Sequence, residues 1–263
     1  MTGPVCPTFS ESSSPHLDQG TRADYARQRL EPRPGEFGYL CNSDLRSALE
    51  SVATEERLRL LDFGADLSPY RALFPNADYR RADIGDAPDL DYQIRADGTV
   101  PEEPETFDFV LSTQVAEHVP SSRTYFSECF RLLRPGGRVV ISTHGSFEDH
   151  SFPHDYQRWT ADGLRRDLAA CGFLEIVVQK LTTGPRAVMF HLERCLDTTS
   201  ISRKSFFGLA WWITRVLEKF FRAPIHRIVD SALPGYRVVA HGQANQNFYV
   251  CVLARATKPL GKA

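Results

Sequence analysis

Residues 58–70 read Leu-Arg-Leu-Leu-Asp-Phe-Gly-Ala-Asp-Leu-Ser-Pro-Tyr, a short apolar run that stops at a glycine. A run of this length closed by a turn signal predicts a buried strand over Leu58–Phe63, with a helical turn over Pro69–Leu73. Glycine at such a bend has no Cβ to hold a bound nucleoside away from the backbone, so Gly64 marks a candidate ligand loop. The following strand, Tyr79–Ile84, carries Asp83 near its end, where an acid can accept hydrogen bonds from both hydroxyls of a ribose. Asp62 and Asp83 each have a plainer reading as turn residues, but their order and spacing favour the ligand reading.

Outward from this pair the pattern repeats. Tyr92–Arg95 is a weak third strand, Phe107–Ser112 a fourth, Arg138–Ser142 a fifth, Leu174–Gln179 a β-branched sixth and Asn247–Ala254 a seventh. Helical spacing over Ser121–Leu133, ended by Pro135-Gly136-Gly137, and a helix capped by Thr160 lie between them. Strands alternating with helices predict an α/β fold of Rossmann-like type. Its seven-stranded, mostly parallel sheet would carry helices on both faces and a ligand site beyond the carboxyl ends of the strands.

The expected layout is a mobile leader over 1–20, an N-terminal helical cover over 21–56, the ligand-binding core over 57–182, a helical insertion or lid over 183–245, and the last strand with the tail over 246–263. In the cover, Asn42-Ser43-Asp44 reads as a helix N-cap ahead of Leu45. The insertion is too long for a simple turn and must carry its own structure.

Hydrophobic residues make up 42% of the chain and charged residues 24%, values that argue against a largely disordered or a membrane-spanning protein. The formal charge of −2 supplies no pull toward DNA or RNA, so no nucleic-acid partner is expected. Six cysteines without a C-x-x-C pair fit a reducing compartment, and residues 1–20 lack the basic start and apolar run of a secretory signal. A soluble, cytoplasmic protein is the expectation.

Several further motifs follow in order: Ala96-Asp97-Gly98, Phe107-Asp108-Phe109-Val110, Gln114-Val115-Ala116-Glu117-His118-Val119, and Arg131-Leu132-Leu133-Arg134-Pro135-Gly136-Gly137. With the Asp62-x-Gly64 bend and Asp83, they make the stretch from about Leu58 to Phe173 resemble the type-11 family of class I methyltransferases, which use S-adenosylmethionine (SAM). The resemblance implies that Gly64 and its neighbours Asp62, Ala65 and Asp66 contact the methionine part of SAM. It also implies that Asp83 with Ile84 holds the ribose, Asp97 with Gly98 the adenine amino group, and that Gln114 lines the methyl end. The family's bend is typically Gly-x-Gly-x-Gly, and here Asp66 and Ser68 replace its second and third glycines. A carboxylate at 66 either repels the SAM carboxylate or pairs with the amino group of the same methionine moiety.

The segment after the fifth strand, 143–160, is the loop richest in chemistry, with three histidines, three acids, four aromatics and Arg158. It falls where a methyl acceptor should bind, and its His154-Asp155-Tyr156-x-Arg158-Trp159 run resembles members encoded with polysaccharide and glycolipid genes. A small-molecule or glycan oxygen is therefore the expected acceptor. His154 is the first choice for a base and His144 its competitor, since imidazole accepts a proton near neutrality. The alternative for both is packing and capping. His144, His150 and His154 with Asp149 show no useful metal-ligand spacing except His150/His154, where Pro153 argues against a helix, so no metal is expected.

The apolar stretch 205–222 is interrupted by Arg215, Glu218, Lys219 and Arg222 and cannot comfortably span a bilayer. A lid or dimer contact is one reading and peripheral membrane contact the other, with the oligomeric state open. Two rivals to the methyltransferase remain: a non-catalytic binding or scaffold protein with a degenerate glycine motif, and a nicotinamide-dependent oxidoreductase. The latter leaves the motifs at 114–118 and 134–137 unexplained.

Overall fold

Successive residues of the central strands face two different cores. In β1 (Arg59–Phe63), Leu60 joins one apolar cluster and Leu61 the other; in β4 (Phe107–Thr113), Phe109 and Val110 divide in the same way. A strand buried on both faces must read as a continuous apolar run, because its side chains alternate and each side meets helices. The computed structural model describes residues 19–85, 89–150, 154–243 and 247–261, so the expected leader lies outside the described residues except for Gln19 and Gly20, which open a helix.

The remaining strands are β2 (Asp78–Asp83), β3 (Tyr92–Gln93), β5 (Leu133–His144), β6 (Leu174–Thr183), β7 (Val238–Ala240) and β8 (Tyr249–Thr257). They form one sheet in the order β3-β2-β1-β4-β5-β8-β6-β7, in which β8 runs antiparallel between β5 and β6, and β7 antiparallel to β6. The described sheet thus has eight strands rather than seven. The extra one is Val238-Val239-Ala240, a short β-branched piece that covers the β6 edge. The order reverses between β1 and β4, which creates the crevice where ligands of such sheets bind.

Among the described residues there are six helices: α1 (Gln19–Leu30), α2 (Tyr39–Glu50), α3 (Ser122–Leu132), α4 (Ala161–Ala170), α5 (Gly184–Thr198) and α6 (Phe206–Ala232). Helices α3 and α4 bury Phe126, Leu132 and Leu164 in one core, while α2 and α5 bury Leu40, Leu49 and Phe190 in the other. Thr160 caps α4 by accepting from the Gly163 N–H at 3.0 Å.

Two local expectations are corrected. Asn42, Ser43 and Asp44 lie inside α2, whose N-cap is Gly38, because the Asp44 carboxylate is committed to a buried pair with Arg186 at 2.8 Å. Pro135-Gly136-Gly137 lies in β5 rather than stopping a helix, since α3 ends at Leu132 and Gly136 and Gly137 pair with Lys258 beyond β8.

Candidate active site

The bend after β1 is built from three strands. Gly64 and Ala65 donate their N–H groups to Ala82 O at 2.8 and 3.0 Å, and the Asp66 N–H donates to Asp83 Oδ2 at 2.6 Å. Gly64 has φ 76°, and a Cβ there would lie 2.4 Å from Val115 Cγ2, so both backbone shape and space demand glycine. The two positions where the bend lacks glycine keep the left-handed backbone: Asp66 has φ 38° and Ser68 φ 47°. L-residues reach that region at a cost, which Asp tolerates better than most. Arg81 holds both residues in place, its Nε donating to Ser68 Oγ at 2.9 Å and its Nη2 to the Asp66 carbonyl.

Asp83 accepts from the Ile84 N–H at 2.7 Å through its other oxygen. Each carboxylate oxygen therefore holds one N–H and keeps a second lone pair, which fits a ribose diol. Asp62 lies behind the bend, buried, with Oδ2 accepting from Tyr79 OH at 2.7 Å; burial pushes its carboxyl up to about 7. It props the loop from below. Gln114, at φ 57°, donates from Nε2 to Ser142 Oγ at 3.3 Å at the carboxyl end of β4. Asp97 and Gly98 form a separate turn after β3, where the Asp97 carboxylate accepts from Thr99 N and Oγ1 at 3.0 and 2.7 Å.

The structure thus brings Asp62, Gly64, Ala65, Asp66, Asp83 and Ile84 into one hydrogen-bonded unit, while the contacts of Asp97 are with its own turn. Sequence reasoning missed two cations. Arg81, two residues before Asp83 on the same strand face, carried a local signal that could have been read. Arg29 of α1 acts electrostatically on Asp66 and Tyr70 and on Glu117, His118 and His144, and nothing near it in the sequence ties it to these residues.

Beyond β4 and β5 lies a second constellation. His118 and His150 face each other with ring centroids 4.9 Å apart, His150 and His144 at 4.7 Å, and His144 stacks on Phe147 at 3.8 Å. Burial lowers the basicity of His118 and His150 and takes His144 well below the ordinary imidazole range. Asp155 is locked to Arg158, which holds its carboxyl below the usual range and ties the loop to the Phe147, Glu148 and Gln157 carbonyls.

His154 is exposed at the rim, with His118 Nδ1 2.5 Å from its carbonyl. The acid that joins His144 and His150 is Glu117 rather than Asp149, and Pro153 lies outside the described residues. Beside this cluster opens a cleft of about 560 Å³, lined by Ser146, Phe147, Glu148, His191, Arg194 and Phe248 among others. Phe147 and Phe248 alternate there with polar and charged side chains, and the volume suits an acceptor of small-molecule size.

A doubly wound sheet with a glycine bend, a strand-end acid and a crevice at the order reversal is a Rossmann-like nucleotide-binding domain. Residues 57–141 match the family model described as a Methyltransferase domain, whose members use SAM, and the matched stretch holds the bend, Asp83, Asp97 and Gln114. Ubiquinone biosynthesis O-methyltransferase of Pseudomonas fluorescens (strain SBW25) is 43% identical over 51 residues, 19% of this chain and 22% of that protein. The Pseudomonas entomophila (strain L48) protein of the same name is 41% identical over 56 residues, 21% of this chain and 24% of that one. The aligned part is therefore under a quarter of the length of these relatives.

Among solved structures, the [4+2]-cyclase SpnF aligns with TM-score 0.52 and 16% identity over 86% of this chain and 85% of that one. A Haloferax volcanii protein solved with the Trm112 methyltransferase activator aligns with TM-score 0.51 and 15% identity over 92% and 97%. At these identities the likeness shows the fold alone.

Proposed function

We propose that the whole chain is a SAM-dependent methyltransferase acting on an oxygen of a small molecule or glycan. The observation that carries this reading is the conformation of the bend: Asp66 and Ser68 hold the left-handed shape of the glycines they replace, clamped by Arg81 and closed onto Asp83. Asp83 takes the ribose, Gly64 and Ala65 face the methionine moiety, Gln114 lines the methyl end, and Asp97 with Gly98 borders the adenine. Arg29, which acts electrostatically on Asp66 at the bend, pairs with the methionine carboxylate.

When bound, SAM supplies a methyl group on a sulfonium sulfur. The cleft beside Phe147 would orient the acceptor hydroxyl, and the exposed His154 imidazole would take its proton as the methyl group is transferred. His144, buried behind the cleft against Glu117, is not placed to exchange that proton with solvent.

The likeness to a cyclase supports keeping a second reading, a fold retained for another task, since fold alone does not fix chemistry. Asp83→Ala separates the two readings. Loss of its charge-assisted hydrogen bonds should weaken SAM binding by about 1–3 kcal/mol in a calorimetric titration, and unchanged affinity would remove Asp83 from the site.

The acceptor is proposed to be met at an anionic lipid surface. Helix α6 exposes Phe206, Phe207, Ile213, Leu217 and Phe220, and residues 201–232 carry six Lys/Arg against two acids. Among the described residues no helix is long and apolar enough to cross a membrane. Co-sedimentation with phosphatidylglycerol vesicles but not phosphatidylcholine vesicles is the expected result, and failure to bind either would discard the lipid contact.

A further inference from the structure

Two of the buried side chains at the end of the sheet point hydrogen-bonding atoms at each other without bonding. Glu117 is fully buried in the 3-10 turn after β4, and its Oε2 accepts from Thr143 Oγ1 at 2.8 Å, which fixes the direction of Oε1. His144, the last residue of β5 and 5% exposed, places Nδ1 3.0 Å from that Oε1. Yet neither atom has a hydrogen-bond partner, so the ring N–H is out of line with the oxygen. A short contact with the wrong angle between two buried atoms is a costly way to make a hydrogen bond and the ordinary way for two ligands to share a third centre.

His150 completes the group. One ligand atom each from Glu117, His144 and His150 lies within 4.8 Å of the others. Its side chain is 29% exposed, which leaves a way in from solvent.

The supporting shell is also present. The His144 ring is clamped by stacking on Phe147 with an interplanar angle of 6°. Asp155 Oδ2 accepts from the backbone N–H of His150 at 2.9 Å and also lies 3.3 Å from the ring Nδ1, leaving Nε2 as the nitrogen to face an ion, and Arg158 holds Asp155. A carboxylate behind an imidazole is the usual means of orienting a metal-bound histidine.

We propose that Glu117, His144 and His150 bind one divalent transition-metal ion. Two imidazoles and a carboxylate suit zinc, cobalt, iron or manganese better than calcium or magnesium, which prefer all-oxygen shells. Three protein ligands leave positions open. Because Phe147 both stacks on His144 and lines the cleft, those positions fall next to the proposed acceptor site. An acceptor hydroxyl bound there would lose its proton to His154 more readily, a role that rests on the methyltransferase reading, whereas the metal site itself does not.

The test is a Co(II) titration of the tag-free chain, followed by visible ligand-field absorption and by competition with Zn(II), with SAM titrated into the same preparation. One equivalent of Co(II), displaced by Zn(II), is expected. His150→Ala, on a loop, should weaken binding by about 100-fold or more while the chain stays folded, Asp155→Asn by about 10–100-fold, and Glu117→Gln should abolish the bands. A folded chain that gives no cobalt bands, or equal affinity in His150→Ala, would overturn the site. SAM binding without cobalt binding would leave the function reading standing and remove the metal, and cobalt binding without SAM would do the reverse.

Discussion

Helices α3 and α6 carry similar apolar residues and use them in opposite ways. In α3, Tyr125, Phe126, Cys129 and Leu132 are buried against the sheet. In α6, Phe206 is 89% exposed and Phe220 78%, while the buried residues are Gly208, Arg222, His226 and a single large apolar side chain, Val229. The inner seam of α6 is polar and fully engaged: Arg222 binds Asp197 at 2.8 Å, His226 binds Glu193 at 2.8 Å, and Asp230 binds Arg186, which also holds Asp44 of α2. Hydrophobic burial attaches α3, whereas α6 is held mainly by a buried ion network beside Val229 and Ile225 and leaves its large aromatic residues outside. A buried network of this kind fixes geometry more than it adds stability, and it frees the apolar face for another surface.

The largest expected effects lie inside. Arg186→Ala strips a buried carboxylate of its main partner and should cost about 3–5 kcal/mol in denaturant unfolding. A cost below about 1 kcal/mol would mean that the seam does not anchor α6. Phe126→Ala, at a fully buried ring, should also cost about 3–5 kcal/mol through lost contact and a cavity.

A smaller effect is expected at Asp62. Its carboxyl stands at 3.8 when free and at about 7 in the fold, so the protonated form is favoured on folding. Its contribution to stability is complete below the free value and is lost as pH rises through about 7. Asp62→Asn, which still accepts from Tyr79, should flatten the fall in stability between about pH 5 and pH 8 by on the order of 2 kcal/mol. A mutant curve parallel to wild type would show that burial of Asp62 carries no such linkage.

The smallest effect closes the comparison. Phe220→Ala in α6 should change stability by less than about 0.5 kcal/mol and lower the fraction bound to anionic vesicles. A loss as large as that of Phe126→Ala would mean that the outer face of α6 is part of a core.

Legibility in the sequence followed chain separation. The bend and Asp83 rest on residues within about thirty positions of one another, so local pattern was sufficient to find them. The N-terminal cover and the insertion were visible as helices, but not what they do. Arg29 meets Asp66 only through the fold, and the Arg186–Asp44 pair joins residues 142 apart. In α6 the polar residues Glu218, Arg222, His226 and Asp230 recur every four positions, so the seam was written in the sequence. Periodicity names two faces and not which one is buried; the rule that apolar faces turn inward is overridden here because three charged partners on α5, Arg186, Glu193 and Asp197, claim the other side. The bend offers the same lesson on a smaller scale. Asp66 and Ser68 read as lost glycines, yet Arg81 preserves their backbone shape.

The central claim is that this crevice binds SAM, and calorimetric titration of the purified chain with SAM, with S-adenosylhomocysteine and with NAD tests it most directly. Saturable binding of both adenosyl ligands and none of NAD is the predicted result. A folded chain that binds neither SAM nor S-adenosylhomocysteine would contradict the account and leave the fold serving another ligand.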